Sequence, residues 1–212
     1  MNVSVLSHLG RSVNPVVEIP AMPLLARLRA ETQDAHQAIE QTLDLMRADL
    51  TLAHYRHRIE QFYGFYQPLE ERLRACPGVA EWLDLQERLK TPWLKADLQA
   101  LGAEALGALP LSSHLPPLDS PAQCLGCLYV LEGASLGGVI ISRHIREKLA
   151  ITPQSGGKFF NGYGDRTGEQ WHGFRAALTA FDAATGEPDQ VITAARATFE
   201  TLRHWCERES LA

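Results

Sequence analysis

CLGCLYVLEGASLGG, residues 124–138, is the stretch that decides the fold of this chain of 212 residues. It lies in an apolar run from Cys124 to Ile141, with Pro121 ahead of it and the breaker tract ITPQSGG at 151–157 behind, and this predicts a helix from Pro121 to about Leu149. Glu132 and several glycines interrupt the run, and Ser142, Arg143 and His144 follow it, so it reads as a buried helix and not as a membrane span. Gly126, Gly133, Gly137 and Gly138 are unusual in such a place. Each costs about 0.5 to 1 kcal/mol relative to alanine, so the four together weaken the helix by roughly 2 to 4 kcal/mol. Two compensating uses are open: close helix–helix packing through the small face from Gly133 to Gly137, or backbone laid directly over a flat ligand. A phosphate-binding loop does not fit, because no lysine follows the glycines and no strand precedes them.

Outward from this helix the same periodicity recurs. Leu25, Leu28, Ala35, Ile39, Leu43 and Met46 are spaced mainly by three and four, which predicts an amphipathic helix after Pro20 and Pro23. Thr51 is a good N-cap for a second helix carrying Tyr55, Ile59, Phe62, Phe65, Tyr66, Leu69 and Leu73, and Cys76-Pro77-Gly78 stops it. Shorter helices are expected near 79–90 and 92–107, then a connecting loop PLSSHLPPLDSP at 110–121, then helices near 165–184 and 187–208. No sustained two-residue alternation, internal repeat or low-complexity tract supports strands, so the fold class is all-α.

The length suits one core. With 45% hydrophobic and 21% charged residues the composition is that of a globular protein, and a net charge of -5 excludes the basic surface that nucleic acid or anionic lipid would require. MNVSVLSHLGRSVNPVVEIP, residues 1–20, lacks the apolar core of a secretion signal and is expected to be a flexible segment. Cysteines at 76, 124, 127 and 206 form no dense framework, which suits a reducing cytoplasm.

The first helix carries the candidate ligand. His36 lies seven residues after Arg29 and four before Glu40; at about 100° per residue these offsets bring all three within roughly 40° of one face. An imidazole can bind iron through one nitrogen while a carboxylate one turn along holds the other. Arg29, about 10 Å away along the axis, could meet a carboxylate at a macrocycle's rim. The alternative for His36 and Glu40 is a surface pair contributing a few tenths of a kcal/mol.

LRAETQDAHQAIE at 28–40, LYVLEGASLGG at 128–138 and KFFNGYG at 158–164 with W-x-x-F-R from Trp171 to Arg175 together resemble the haem oxygenase family, specifically its bacterial, phytochrome-associated branch. The similarity runs in family order from about Leu24 to Trp205. It implies a helical bundle over residues 21–212, with haem held between a proximal helix and a glycine-rich distal helix. It further implies that His36 is the proximal iron ligand, supported by Glu40, and that Arg29 pairs with a haem propionate. Gly133, Gly137 and Gly138 would cross the other haem face, with Tyr129 on the same helix among the haem-binding residues. Arg175 is the preferred second propionate anchor, ahead of His172 and Arg166. The implied reaction opens haem b, which is both substrate and cofactor, to biliverdin, CO and ferrous iron, using O2 and electrons from a ferredoxin or reductase. A bacteriophytochrome receiving the biliverdin is a further implied partner.

Two positions depart from the family pattern: Ala134 stands where many members have an aspartate, and Val139 where a glutamine is common. Ser135, Arg143 or backbone-bound water could then serve in proton delivery, and a non-catalytic haem carrier or sensor is the alternative function. Three other signals carry less. Cys124-x-x-Cys127 lacks a βαβ context and reads as two small buried hydrophobes. Glu169-x-x-His172 lacks the second copy that a di-iron bundle needs. His54 and His57 lack a third zinc ligand and read as part of a solvated polar face.

Overall fold

Helix formation begins where the prolines end. In the computed structural model, which describes residues 22–103 and 105–208, α1 (Leu24–Glu31) follows Pro23 and gives way at Thr32 to α2 (Gln33–Leu43). The expected flexible segment at 1–20 lies outside the described residues. One helix was expected over α1 and α2. The Thr32 hydroxyl donates to the Leu28 carbonyl at 2.7 Å, a back-bond that bends helices, and Thr32 leaves helical geometry with ψ at 2°. Bonds from Thr32 N to Leu28 O and from His36 N to Thr32 O still carry the helical pattern through the join.

α3 (Leu52–Ala75) starts at Thr51, whose side chain accepts the His54 N–H, and buries its aromatic stripe as expected. Pro68 inside it removes the donor owed to the Gly64 carbonyl, and Ser112 N from the connecting loop supplies that bond at 2.9 Å. Gly64 makes the crossing possible, because a Cβ there would run into the Pro110 carbonyl and the Trp205 ring. The stretch after α3 forms two short 3-10 turns at Val79–Glu81 and Gln86–Arg88 in place of a regular helix.

Two buried carboxylates then place the next helices. Glu70 on α3 accepts the backbone N–H groups of Lys90 and Thr91 and so caps α4 (Thr91–Ala100). Asp97 on α4 accepts those of Lys158 and Phe159 at 2.7 Å. Both carboxyls are pushed above their usual range by burial, which these donors partly oppose.

α5 (Pro121–Leu149) is the long glycine-bearing helix, capped by the Ser120 hydroxyl and ended by Ala150 in the left-handed region. It is long and apolar enough to cross a membrane, yet over half of its most apolar window is buried in the molecule. Asp97 caps α6 (Lys158–Asn161), a short helix not anticipated from the sequence, and α7 (Thr167–Thr185) and α8 (Pro188–Arg208) complete the chain. Every regular element among the described residues is helical, with buried apolar side chains in one continuous cluster. α8 is the central support: both α5 and α2 pack on it. Gly126 lets α5 come close, since a Cβ there would lie 2.7 Å from the Ala194 methyl and 2.9 Å from Ala195 N.

Cys124 departs from expectation. It is buried, but it is joined to Cys76 rather than merely packed, which ties the end of α3 to the first turns of α5. Cys127 and Cys206 are buried free thiols.

Candidate haem site

His36 stands on the outer half of α2 with its side chain 56% exposed, and its Nε2 lies 3.6 Å from Glu40 Oε1. Taken alone, this is a surface pair with little energetic weight. The imidazole is not loose, however: the Phe199 ring of α8 meets it edge-on with centroids 5.6 Å apart.

Opposite α2 stands the open face of α5. Relative to Gly133, helical rotation places Gly137, Ile140 and His144 within an arc of about 60°. A Cβ built on Gly133 or Gly137 meets nothing within 4 Å. Leu136, Val139 and Ile140 are exposed, Ile140 to 65%, on a helix whose first half is almost wholly buried. This half of α5 thus presents open backbone at Gly133 and Gly137 beside exposed apolar side chains.

Two contacts tie α5 to the α1–α2 side. At one end the half-buried Tyr129 phenol meets the Thr32 hydroxyl and feels the Arg29 guanidinium; burial pushes its pKa above the usual range, and these two neighbours pull against it. Tyr129 also packs on Trp171 of α7, with ring centroids 6.2 Å apart. At the other end His144 Nε2 lies 3.0 Å from the Arg47 carbonyl, just beyond α2. Tyr129 and His144 are about 22 Å apart along α5.

The expected site residues therefore divide. His36 and Glu40 are exposed on α2, Gly133 and Gly137 have open space beside them on α5, Tyr129 joins α5 to Thr32, and Arg29 is exposed near Tyr129. Arg175 and His172 are exposed on α7, which packs beside α1, and Arg166 is exposed in the turn before it. Among the described residues neither Arg29 nor Arg175 forms an ion pair.

Gly138 corrects an expectation: it is buried, and a Cβ there would lie 2.5 Å from the Phe160 carbonyl oxygen, so it serves the packing of α5 on α6. Ser135 corrects another. It is buried and faces Gly162, on the side of α5 turned about 200° from Gly133. Arg143 is exposed. His54 is not part of a solvated face either, because it is half-buried with Nε2 3.1 Å from the Leu43 carbonyl at the end of α2.

One group was missed. Glu132, immediately before Gly133, is 1% exposed, with Arg88 Nη1 at 2.8 Å, Lys90 Nζ at 2.7 Å and the Tyr163 hydroxyl donating at 2.7 Å. A lone carboxylate in an apolar run was the available signal. This cluster clamps the far side of α5 to the start of α4 and to the Tyr163 turn, and burial beside Glu132 drives the Tyr163 phenol well upward.

The Heme oxygenase family model matches residues 22–208, and the chain belongs to that family. A heme oxygenase of Xanthomonas campestris pv. campestris (strain 8004) is 38% identical over 85 residues, which are 40% of this chain and 46% of that protein. The match thus spans about half the length of that curated relative. Among solved structures, the NO- and CO-bound heme oxygenase of Neisseria meningitidis superposes with a TM-score of 0.75 at 19% identity, covering 89% of this chain and 92% of that one. The Leptospira interrogans heme oxygenase gives 0.71 at 19% identity, covering 88% of this chain and 100% of that one. These structural likenesses speak to the fold.

Proposed function

We propose that this chain is a haem oxygenase, an enzyme that opens haem b to biliverdin, CO and ferrous iron with O2 and electrons from an external ferredoxin or reductase. The observations that carry this reading are an exposed histidine propped by Phe199 on α2 and bare backbone at Gly133 and Gly137 on α5, the two helices being tied at either end by Tyr129 with Thr32 and by His144 with Arg47; between them we place a slot for the ligand. A flat, largely apolar macrocycle fits such walls, and an open arginine fits its carboxylate rim. Bound haem supplies the redox-active iron and is itself the substrate.

The chain's own residues do the rest. His36 Nε2 lies 3.6 Å from Glu40, which would leave the other nitrogen for the metal once the carboxylate closes on the imidazole. Gly133 and Gly137 let backbone approach the opposite face, while Leu136 and Ile140 offer apolar cover. Arg29, with Arg175 as second candidate, would fix in-plane orientation through charge-assisted bonds to the propionates. With Ser135 turned away and alanine at 134, water held by backbone is the proposed proton donor on this face, with the exposed Arg143 as the other candidate. The resemblance to the phytochrome-associated branch supports passage of biliverdin to a bacteriophytochrome, and the cytoplasm as the place of reaction.

Ala134 favours a second reading, a haem carrier or sensor that binds without turnover. The deciding experiment titrates the purified chain and His36→Ala with haem, then supplies O2, ferredoxin and its reductase with catalase present. One-to-one binding with a histidine-ligated spectrum lost in His36→Ala, followed by biliverdin and CO, supports the enzyme. Binding without ring opening supports the carrier, and an unchanged spectrum in His36→Ala overturns the ligand assignment.

A further inference from the structure

We propose that His144 is a latch: its hydrogen bond to the Arg47 carbonyl ties the distal wall of the slot to the proximal side and so sets how firmly haem is held. This rests on the haem-binding reading above, and makes His144 a positioning residue rather than a catalytic one.

The bond joins two segments 97 residues apart in sequence, at 3.0 Å between Nε2 and the carbonyl oxygen. His144 lies on the same strip of α5 as Gly133, Gly137 and Ile140, so the side chain that reaches across belongs to the slot-facing surface itself. What it grips is rigid. Asp44 turns the chain after α2 in the left-handed region, with φ at 47°. Arg47 then forks onto Asp49 with bonds of 2.8 and 2.9 Å, and Leu45 and Leu50 are buried on either side. Behind the loop, α3 pins the end of α2: Arg58 donates to the Thr42 and Leu43 carbonyls at 2.7 and 3.0 Å, and His54 meets Leu43 O.

α2 and this loop therefore move as one body, and α5 is clamped separately by Glu132 and by α6. Both bodies rest on α8, but packing on a common support leaves the width between them free to breathe. A crosslink at each end removes that freedom. A rigid planar ligand touched on both faces depends on that width, since a gap of 0.5–1 Å forfeits about a quarter to a half of each dispersion contact.

The test uses His144→Leu, which keeps the bulk and removes the donor, and His144→Gln, whose amide can donate to the same carbonyl. In the haem-free chains, hydrogen exchange is followed at the amides of residues 44–50. In the haem-loaded chains, loss of haem to excess apomyoglobin is timed. A single net hydrogen bond predicts haem loss about fivefold faster in His144→Leu. Faster exchange over 44–50 should accompany it, with helical circular dichroism and the His36-ligated spectrum retained, and both rates should return toward the parent's in His144→Gln. Parent-like rates in His144→Leu overturn the latch, as does a His144→Gln variant that behaves like His144→Leu. A parent chain that binds no haem overturns the functional reading and the latch together; failure of the latch alone leaves parent binding intact.

Discussion

A Cβ on Gly138 would press on the Phe160 carbonyl oxygen, whereas one on Gly133 or Gly137 would stand in the open. Gly138→Ala should therefore destabilise the fold by about 1–3 kcal/mol, the usual cost of overpacking, read as a lower urea midpoint. Gly137→Leu should unfold at the parent's midpoint yet lose haem binding in a titration, because its bulk enters the slot. Equal stability losses in the two variants would show that both glycines only pack. The presence of four glycines on one helix was legible in the sequence, as were His36 and Glu40 with their spacing. Their division of labour was not. It depends on α6, which reaches α5 only because Asp97 caps it from a helix 61 residues earlier. Ser135 was misplaced for the same reason: its partner Gly162 is brought there by tertiary structure.

At the scale of helices, most boundaries followed from caps and breakers. Thr51 and Pro121 both stand at observed helix starts, and α5 runs from Pro121 to Leu149 as expected. The break at Thr32 escaped because the apolar spacing continues through it, while the hydroxyl back-bond that causes it leaves no pattern. Glu132 escaped because its partners come from Arg88 and Lys90, 44 and 42 residues away. Replacing Glu132 with Leu should destabilise the chain by about 3–5 kcal/mol, since it strands two buried cations without a counter-charge. Urea unfolding followed by circular dichroism measures this. A loss below 1 kcal/mol would mean that Arg88 and Lys90 escape to water and that the clamp is dispensable.

The whole molecule should respond to alkali. Burial pushes the thiols of Cys127 and Cys206 up to about 12, and raises the phenols of Tyr55, Tyr66 and Tyr163 strongly. An unfolded thiol ionises near 9, so between pH 9 and 12 the unfolded chain has released protons that the folded chain retains. Stability contributed by these groups is full below pH 9 and declines as pH rises toward 12. Guanidinium unfolding at pH 8, 9.5 and 10.5 should show that decline, and Cys127→Ala with Cys206→Ala should make it shallower. An equal slope in the double variant would assign the effect to the tyrosines.

The support shared by α2 and α5 has one more consequence. α2 and α5 both rest on α8, which sets the mean distance about which they breathe, much as a spacer sets the rest position of a gauge's jaws. Side-chain size on α8 is thus a dial on clearance that leaves His36 and the α5 glycines themselves unaltered, Phe199 reaching the clearance through its contact with the imidazole. A lineage, or a protein engineer, could re-gauge this scaffold for a thicker or thinner planar molecule by altering positions around Phe199 alone, keeping both gripping faces as they stand.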